Sequence, residues 1–275
     1  MKKNLDKATV DSFGDEWGRF NQSGLPSKEA EEIFEKYFTI FPWDSLPERS
    51  EGYDLGCGSG RWAKIMANKI THLHCIDPSE AISVAKDSLS SFSNISFHKK
   101  SVDEAPLPAN SQDFGYSLGV LHHVPDTGTA IKQCAEMLKP GAPFLMYLYY
   151  AMENKSFLYR FLWRCSDFFR KIICRLPSGL KHFVTDVIAI TIYFPFARIS
   201  LLLKKLRINT SGIPLSFYSD CSFYTMRTDS RDRFGTPLEK RFTQSEIENL
   251  MLEAGFKNII FNDAEPRWCV VGIKS

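Results

Sequence analysis

Between residues 51 and 150, short apolar runs alternate with stretches of helical periodicity, and this alternation constrains the fold more than any other feature of the sequence. The apolar runs predict strands at 52–55, 72–76, 95–98, 114–119 and 144–149. The stretches between them predict helices at 59–69, 79–91 and 128–138. Strands joined through helices run parallel with right-handed crossovers, so the sequence predicts a parallel sheet with helices on both faces.

The end of the chain continues this pattern, whereas its beginning is helical. Thr243 and Glu246 have the spacing of a capping box, which predicts a helix over 243–254, and strands are expected at 258–261 and 268–273. The sequence therefore divides into three parts, which are an N-terminal helical segment or flap at 1–50, a core of 51–150 and 241–275, and a helical lid or substrate-binding insertion at 151–240.

The insertion differs from the rest of the chain in charge. Between residues 155 and 207, eleven basic side chains stand against two acidic ones, a net charge of +9 in a chain whose total is +2. Aromatic and aliphatic residues are interleaved with these charges, and Pro177, Gly179 and Pro195 are expected to divide the segment into two or three helices. The apolar stretch 187–203 is too short and too interrupted to predict a membrane span.

Three interpretations of this segment stay open. It can be a lid whose aromatic face packs on the core, or a basic amphipathic surface that lies on a membrane. The third is a face that binds nucleic acid, which the near-neutral charge of the whole chain argues against.

A glycine-rich turn follows the first predicted strand and precedes the first predicted helix. Gly56, Gly58 and Gly60 follow Asp54 at every second position. Glycine lets a backbone turn tightly and approach a ligand where a β-carbon would collide, and a helix N-terminus offers free amide groups. The dinucleotide-binding pattern G-x-G-x-x-G would need a glycine at position 61, where the chain has Arg61.

The second predicted strand ends at Asp77, 21 residues after Gly56, where a carboxylate can accept hydrogen bonds from both hydroxyls of a ribose. With the turn, this arrangement resembles the class I S-adenosylmethionine-dependent methyltransferases, and in particular their type 11-like subgroup, over about 51–150 and 240–275. The resemblance implies an α/β, Rossmann-like sheet of seven strands in the order 3-2-1-4-5-7-6, with strand 7 antiparallel and the helical insertion between strands 5 and 6. It also implies S-adenosyl-L-methionine as the cofactor and S-adenosyl-L-homocysteine as its product.

The resemblance places the cofactor site at the ends of four strands. The glycine turn would hold the methionine part of the cofactor, Asp77 its ribose, and Asp103 the amino group of its adenine. Leu118 and Gly119, at the tip of the fourth strand, would pass beneath it. The complete set that the resemblance implies is Asp54, Gly56, Cys57, Gly58, Asp77, Val102, Asp103, Leu118 and Gly119.

Methyl transfer requires an acceptor aligned with the S–CH3 bond and, for a hydroxyl or ammonium acceptor, a base. His123 and His122 follow the fourth strand and are the candidate catalytic residues, although each can equally be a packing residue that orients the turn. The candidate substrate-binding residues are aromatic side chains and arginines: Trp17, Tyr149, Tyr150, Tyr218, Tyr224, Arg227 and Arg233. For the arginines, ion pairs with neighbouring aspartates are an equal alternative.

These features predict a methyltransferase that acts on an O or N atom of a small-molecule acceptor. The alternatives are an enzyme for a lipid, a quinone or a lipid-linked glycan at the membrane surface, and a non-enzymatic binding protein on the same scaffold, with tRNA modification as a minor branch. Seven cysteines without a Cys-x-x-Cys pair predict a reducing cytoplasm, with peripheral membrane contact through 155–207 as an option. No residues have the spacing of a metal site, so no metal is predicted.

Overall fold

The computed structural model describes residues 3–153, 155–210, 212–264 and 268–275. The chain divides into two compact units. Unit 1 consists of Met1–Asn21, Glu31–Glu153 and Leu238–Ser275, and unit 2 consists of Gln22–Ala30 and Asn154–Pro237.

A seven-stranded sheet forms the centre of unit 1. Its strands are β1 (Glu51–Leu55), β2 (His72–Ile76), β3 (Ile95–His98), β4 (Phe114–Leu118), β5 (Pro143–Tyr147), β6 (Phe256–Phe261) and β7 (Cys269–Lys274). Their order is β3-β2-β1-β4-β5-β7-β6, with β7 antiparallel to both of its neighbours and all other pairs parallel. The predicted Rossmann-like fold class is therefore confirmed.

Ten α-helices accompany the strands in the described part of the chain. They are α1 (Lys7–Arg19), α2 (Ser27–Phe38), α3 (Ala63–Met66), α4 (Ala81–Ser88), α5 (Thr127–Met137), α6 (Phe157–Ile173), α7 (Ser178–Ile188), α8 (Phe194–Lys205), α9 (Phe223–Gly235) and α10 (Gln244–Glu253). The predicted capping box at the start of α10 is present, since the Thr243 side chain accepts from the Glu246 N–H and the Glu246 side chain accepts from the Thr243 N–H.

The first crossover helix is much shorter than the sequence predicts. A helix was expected over 59–69, but α3 has only four residues. Gly58 and Gly60 adopt φ values of +53° and +81°, which lie outside the helical region, so the helix cannot begin until the turn has ended. After Met66 the chain makes one short turn, in which the Lys69 N–H donates to the Met66 carbonyl.

Unit 2 is helical and has a small core of its own. This core is formed by Ile173, Tyr193, Ala197, Met226 and Phe234. The expected break at Pro195 is wrong, because α7 continues into α8 through a π-helical stretch, Ala189–Tyr193. Proline lacks a backbone N–H and normally interrupts a helix, but here Pro195 directly follows the π-helical stretch, in which the hydrogen-bond pattern already departs from that of an α-helix.

Candidate cofactor and active site

The glycine turn after β1 is held by the end of β2. The backbone N–H of Gly56 donates to the carbonyl oxygen of Ile76 at 2.7 Å, and the N–H of Gly58 donates to Asp77 Oδ2 at 2.9 Å. Gly56 has a φ of +78°, and a β-carbon on it would lie 2.3 Å from Val120 Cγ2. Both the conformation and the close approach of Val120 therefore require glycine at position 56.

The carboxylate of Asp77 is buried and accepts three hydrogen bonds. Besides the bond from Gly58, its Oδ1 accepts from the backbone N–H of Ser79 at 2.8 Å and from Ser79 Oγ at 2.6 Å. A carboxylate offers about four lone-pair positions, so one position is left for a further donor unless an existing bond exchanges. Asp77 can therefore take part both in holding the turn and in binding a hydroxyl.

Asp54 lies at the base of the same turn and is almost completely buried. Burial raises the pKa of Asp54 to about 8, although a hydrogen bond from Tyr116 Oη to its Oδ2, 2.9 Å long, acts in the opposite direction. The carboxyl group is consequently protonated at neutral pH. It is poised to ionise when a positive charge comes close, because such a charge lowers the pKa of a carboxyl group.

A cavity of about 50 Å³ lies beside the turn within unit 1. Its walls include Leu5, Val10, Gly56, Val102 and His123. The volume suffices for a few water molecules.

Asp103 stands next to this cavity and carries a polar atom that suits a ligand. Its Oδ2 accepts weakly from the backbone N–H of Asn4, at 3.4 Å, whereas its buried Oδ1 has no hydrogen-bond partner among the described residues. Buried oxygens without partners are uncommon in proteins, and an amino group such as that of adenine would satisfy this one. The glycine turn and this orphaned oxygen therefore fit the cofactor that the resemblance implies.

The remaining cofactor candidates also lie in unit 1. Cys57 is buried in the turn, and burial raises the pKa of its thiol well above the usual range, so that it stays protonated. Leu118 is half-buried at the end of β4. Gly119 has a φ of +76°, and a β-carbon on it would meet only the ring of Tyr147, at 4.0 Å, so space is present beside the backbone.

Helix α1 covers the glycine turn. A β-carbon placed on Gly58 would lie 3.1 Å from Nε1 of Trp17, so the indole ring rests against the turn. The buried residues of α1 are Thr9, Ser12 and Glu16, all of them polar.

The two candidate catalytic histidines differ in their surroundings. His122 is completely buried, stacks on the ring of Tyr149 at 3.9 Å, and neither ring nitrogen has a hydrogen-bond partner in the described part of the chain. Burial, with His123 and Arg241 nearby, lowers the pKa of His122 well below its usual value, so the ring is neutral. His122 therefore has the environment of a packing residue.

His123 has the environment of a base. Its Nδ1 lies 2.6 Å from the carbonyl oxygen of Leu238, and a carbonyl can only accept, so we assign the proton to Nδ1 and the lone pair to Nε2. Phe13 of α1 packs edge-on against the ring at 5.0 Å. His123 also lines the cavity beside the glycine turn, which no other candidate base does.

Tyr149 and Tyr150 follow β5. Tyr149 lies between His122 and the guanidinium group of Arg241, which is 5.1 Å from the centre of its ring. Tyr150 is buried against Trp268. Arg241 also pairs with Glu239, with Nε and Oε1 2.9 Å apart, and both side chains are largely buried. Sequence reasoning did not single out this pair, because no spacing signal connects residues 239–241 with the end of β5.

The candidate tyrosines of the insertion make hydrogen bonds within unit 2. Tyr218 Oη donates to Asp229 Oδ2 at 2.9 Å, and Tyr224 Oη accepts from the backbone N–H of Gln22 at 2.9 Å. Each hydroxyl thus has a partner inside the unit.

The candidate arginines of the insertion are also engaged within unit 2. Arg227 forms a two-pronged ion pair with Asp186, in which both N···O distances are 3.0 Å. Arg233 Nη2 donates to Ser166 Oγ at 3.2 Å, and its guanidinium group lies 5.7 Å from the ring centre of Trp163. These contacts stabilise the helices of the unit.

Comparison with known proteins agrees with this geometry. A family model described as "Methyltransferase domain" matches residues 53–146. A ubiquinone biosynthesis O-methyltransferase of Hahella chejuensis is 30% identical over 192 residues, which cover 66% of this chain and 76% of the relative. A tRNA (carboxymethyluridine(34)-5-O)-methyltransferase of Schizosaccharomyces pombe is 27% identical over 143 residues, or 46% of this chain and 58% of the relative.

A solved structure of a candidate methyltransferase from Bacillus halodurans has a TM-score of 0.52 and 12% sequence identity. The match covers 83% of this chain and 71% of that chain. At this level of identity the likeness supports the fold alone.

Proposed function

The chain belongs to the class I S-adenosylmethionine-dependent methyltransferases, and we propose that it transfers the methyl group of S-adenosyl-L-methionine to an oxygen or nitrogen atom of a small-molecule acceptor. The observation that carries the proposal is one cavity in unit 1 that adjoins the glycine turn and is lined by His123. The relatives described above are O-methyltransferases by name, which favours oxygen as the acceptor atom. Membership of the family favours an enzyme over a binding protein on the same scaffold.

Five groups would hold the cofactor. Gly56 and Gly58 let the backbone approach its methionine part, and Asp54 would ionise beside the positive charge there. Asp77 would accept from a ribose hydroxyl through its remaining lone pair, and Asp103 Oδ1 would accept from the adenine amino group. The bound cofactor supplies a methyl group that is activated by the positive sulfur atom.

We assign the role of general base to His123. Its Nδ1–H donates to the Leu238 carbonyl, which fixes the ring and presents Nε2 as the proton acceptor. Removing the proton of a hydroxyl acceptor as the methyl group arrives contributes roughly 10²–10⁴-fold in rate. Helix α1 and its Trp17 would exclude water from the turn once both ligands are bound.

A second candidate function has its own support. The Hahella relative acts, by its name, in ubiquinone biosynthesis, and the insertion at 151–240 carries many exposed apolar side chains. The acceptor would then be a lipid, a quinone or a lipid-linked glycan at a membrane surface, and the protein would be cytoplasmic with peripheral membrane contact. Acceptor recognition by Tyr218, Tyr224, Arg227 and Arg233 stays a prediction in both cases.

Two measurements on the full chain test the proposal. Calorimetry should show saturable binding of S-adenosyl-L-methionine, and its absence would contradict the assignment of the cofactor site. Transfer of labelled methyl groups is then measured with water-soluble phenols and amines, and with a prenylated phenol in vesicles. Turnover of the soluble acceptors supports the first function, whereas turnover of the vesicle-bound acceptor alone supports the second.

A further inference from the structure

Exposed apolar side chains are concentrated in unit 2. Of the twenty large apolar side chains that are exposed among the described residues, eighteen lie between Phe157 and Ile208. Phe157, at 77%, is the most exposed of them. Water-soluble proteins rarely expose contiguous apolar surface on this scale, so the segment is typical of an interaction surface.

Helix α6 has three distinct faces. At 3.6 residues per turn, its exposed apolar side chains fall within an arc of about 140°: Phe157, Leu158, Phe161, Leu162, Phe168, Phe169 and Ile172. The opposite face packs inside the unit and includes Tyr159, Trp163, Arg170 and Ile173.

The third face of α6 is basic and lies beside the apolar arc. Arg160, Arg164 and Lys171 are exposed there, at helical intervals of four and seven residues. Lys171 pairs with Asp167, whereas Arg160 and Arg164 have no ion pair among the described residues. An apolar arc flanked by arginine and lysine is the pattern of a helix that lies in the surface of a membrane with anionic headgroups.

The helix that runs continuously from Ser178 to Lys205 repeats this division. Its 28 residues are long and apolar enough to cross a membrane by length and composition, and 22% of its most apolar 18 residues are buried. The buried residues Thr185, Ala189, Tyr193, Ala197 and Ser200 recur every three or four positions and face the core of the unit. Between them, Phe183, Val187, Ile190 and Phe194 are exposed on another side.

The polar contacts of this helix favour an orientation in the membrane plane over a crossing. Asp186 is held by Arg227 of α9 in a two-pronged ion pair, and α9 itself carries nine charged or hydroxyl-bearing residues. A helix that crossed the bilayer would take this pair into hydrocarbon, where charged groups are expensive. Lys205 and Arg207 are exposed at the end of the helix, where they can reach headgroups.

We propose that the exposed apolar faces of α6 and of the Ser178–Lys205 helix form a docking surface for an anionic lipid bilayer, and that both helices lie in its interfacial plane. Charge selects this partner over a second copy of the chain. Nine of the eleven basic residues between 155 and 207 lie outside the core, against two acidic residues, so this segment repels its own copy and attracts anionic lipid. The inference goes beyond the proposed function and holds whichever acceptor is methylated.

Vesicle co-sedimentation of the full chain tests the proposal. Vesicles of phosphatidylcholine with 30% phosphatidylglycerol are compared with phosphatidylcholine alone, each at 50 mM and at 300 mM salt. We expect the bound fraction to correspond to at least tenfold tighter partitioning onto the anionic vesicles, and to fall at the higher salt concentration. Equal partitioning onto both vesicles, or none onto either, would overturn the proposal.

Two variants separate the apolar from the basic contribution. The triple variant Phe157→Ser, Phe161→Ser, Phe168→Ser should weaken partitioning at least tenfold, and Arg160→Gln with Arg164→Gln should weaken it several-fold and reduce its dependence on salt. Leu252→Ser is the matched control, since Leu252 is a comparably exposed apolar residue, at 53%, in unit 1. Equal partitioning of the triple variant and the control would contradict the proposed docking of these apolar faces on the bilayer.

Two further readings distinguish the outcomes. Circular dichroism and cofactor binding of the triple variant should match the unmodified chain, which shows that a loss of partitioning does not come from unfolding. A carbonate wash should release the bound protein if the helices lie in the plane, and resistance to the wash would overturn that orientation. A dimer in the absence of lipid that the triple variant abolishes would overturn the choice of partner.

Discussion

The carboxylate of Asp77 and the backbone N–H of Gly58 are joined by a hydrogen bond of 2.9 Å, so the acidic residue at the end of β2 is part of the glycine turn after β1. The carboxyl ends of parallel strands meet at one edge of the sheet, and at this edge the Asp77 side chain holds the glycine turn in place. The bond connects two features that the resemblance treats as separate ligand contacts. A change at Asp77 should therefore affect the turn as well as ligand binding.

Replacement of Asp77 tests this connection. The amide of Asp77→Asn keeps one acceptor for Gly58 but presents an NH2 group toward Ser79, and a hydrogen bond to a charged group contributes about 1.5–3 kcal/mol. We expect the dissociation constant of S-adenosyl-L-methionine to rise roughly 10–100-fold, measured by calorimetry. Ser79→Ala, which removes only one of the bonds to Asp77, should cause a smaller increase. Equal affinity of Asp77→Asn and the unmodified chain would contradict the role.

His122 predicts a dependence of stability on pH. Because the folded state keeps the pKa of His122 well below that of an unfolded histidine, about 6.5, the unfolded chain binds more protons as the pH falls from 6.5. The free energy of unfolding should thus decrease with acidity in that range, by at most about 1.4 kcal/mol per pH unit from this residue.

The variant His122→Phe isolates that contribution. Phenylalanine can keep the stacking on Tyr149 and does not titrate, so its stability should fall less steeply between pH 6.5 and 5 in urea unfolding experiments. His72 and His98, whose pKa values are also lowered by burial, leave a residual slope in both proteins. Parallel curves for the two proteins would show that His122 does not carry the effect.

The positions of the strand ends could be read from the sequence, because alternating apolar runs and helical stretches leave few arrangements of a parallel sheet. The sequence therefore predicts that Asp77 and the glycine turn lie together at one edge of the sheet. The length of α3 was not predictable in this way, since helical periodicity continues past Gly60 while its φ of +81° prevents a helix there. Similarly, Pro195 predicts a break in the helix, but the helix continues through the π-helical stretch that precedes this proline.

Contacts between residues far apart in the chain could not be predicted. The bond between His123 and Leu238 joins residues 115 positions apart, and the packing of Trp17 on Gly58 depends on where α1 docks. Neither contact leaves a periodic signal, because each arises from tertiary packing of a loop or of a terminal helix. The single-sequence pattern thus indicates the residue types at the site but not which of them meet.

Trp17 should slow the entry of the cofactor. Its indole ring lies on Gly58, in the turn that would hold the methionine part of the cofactor, so we expect α1 to move before binding. Removing a half-buried indole in Trp17→Ala weakens the closed arrangement by about 1–2 kcal/mol. We expect cofactor association to become roughly 5–30 times faster in stopped-flow measurements. Lys7→Ala, on the exposed side of α1, is the control and should leave the association rate unchanged. Slower association of the cofactor with Trp17→Ala would contradict the role of Trp17 in covering the glycine turn.

His123 should determine the acid limb of the activity profile. Asparagine can place an N–H where Nδ1 donates to the Leu238 carbonyl, but it has no counterpart of Nε2. In His123→Asn we therefore expect kcat to fall roughly 10²–10⁴-fold, and the loss of activity at acidic pH, as Nε2 becomes protonated, to disappear from the profile of kcat/KM. The dissociation constant of the cofactor should change by less than about fivefold, because less than about 1 kcal/mol of binding is lost when the N–H is retained. If the variant keeps the acid limb with only a modest loss of kcat, His123 is a packing residue that orients the turn after β4. The acceptor then either loses its proton to another group or has no proton that must be removed.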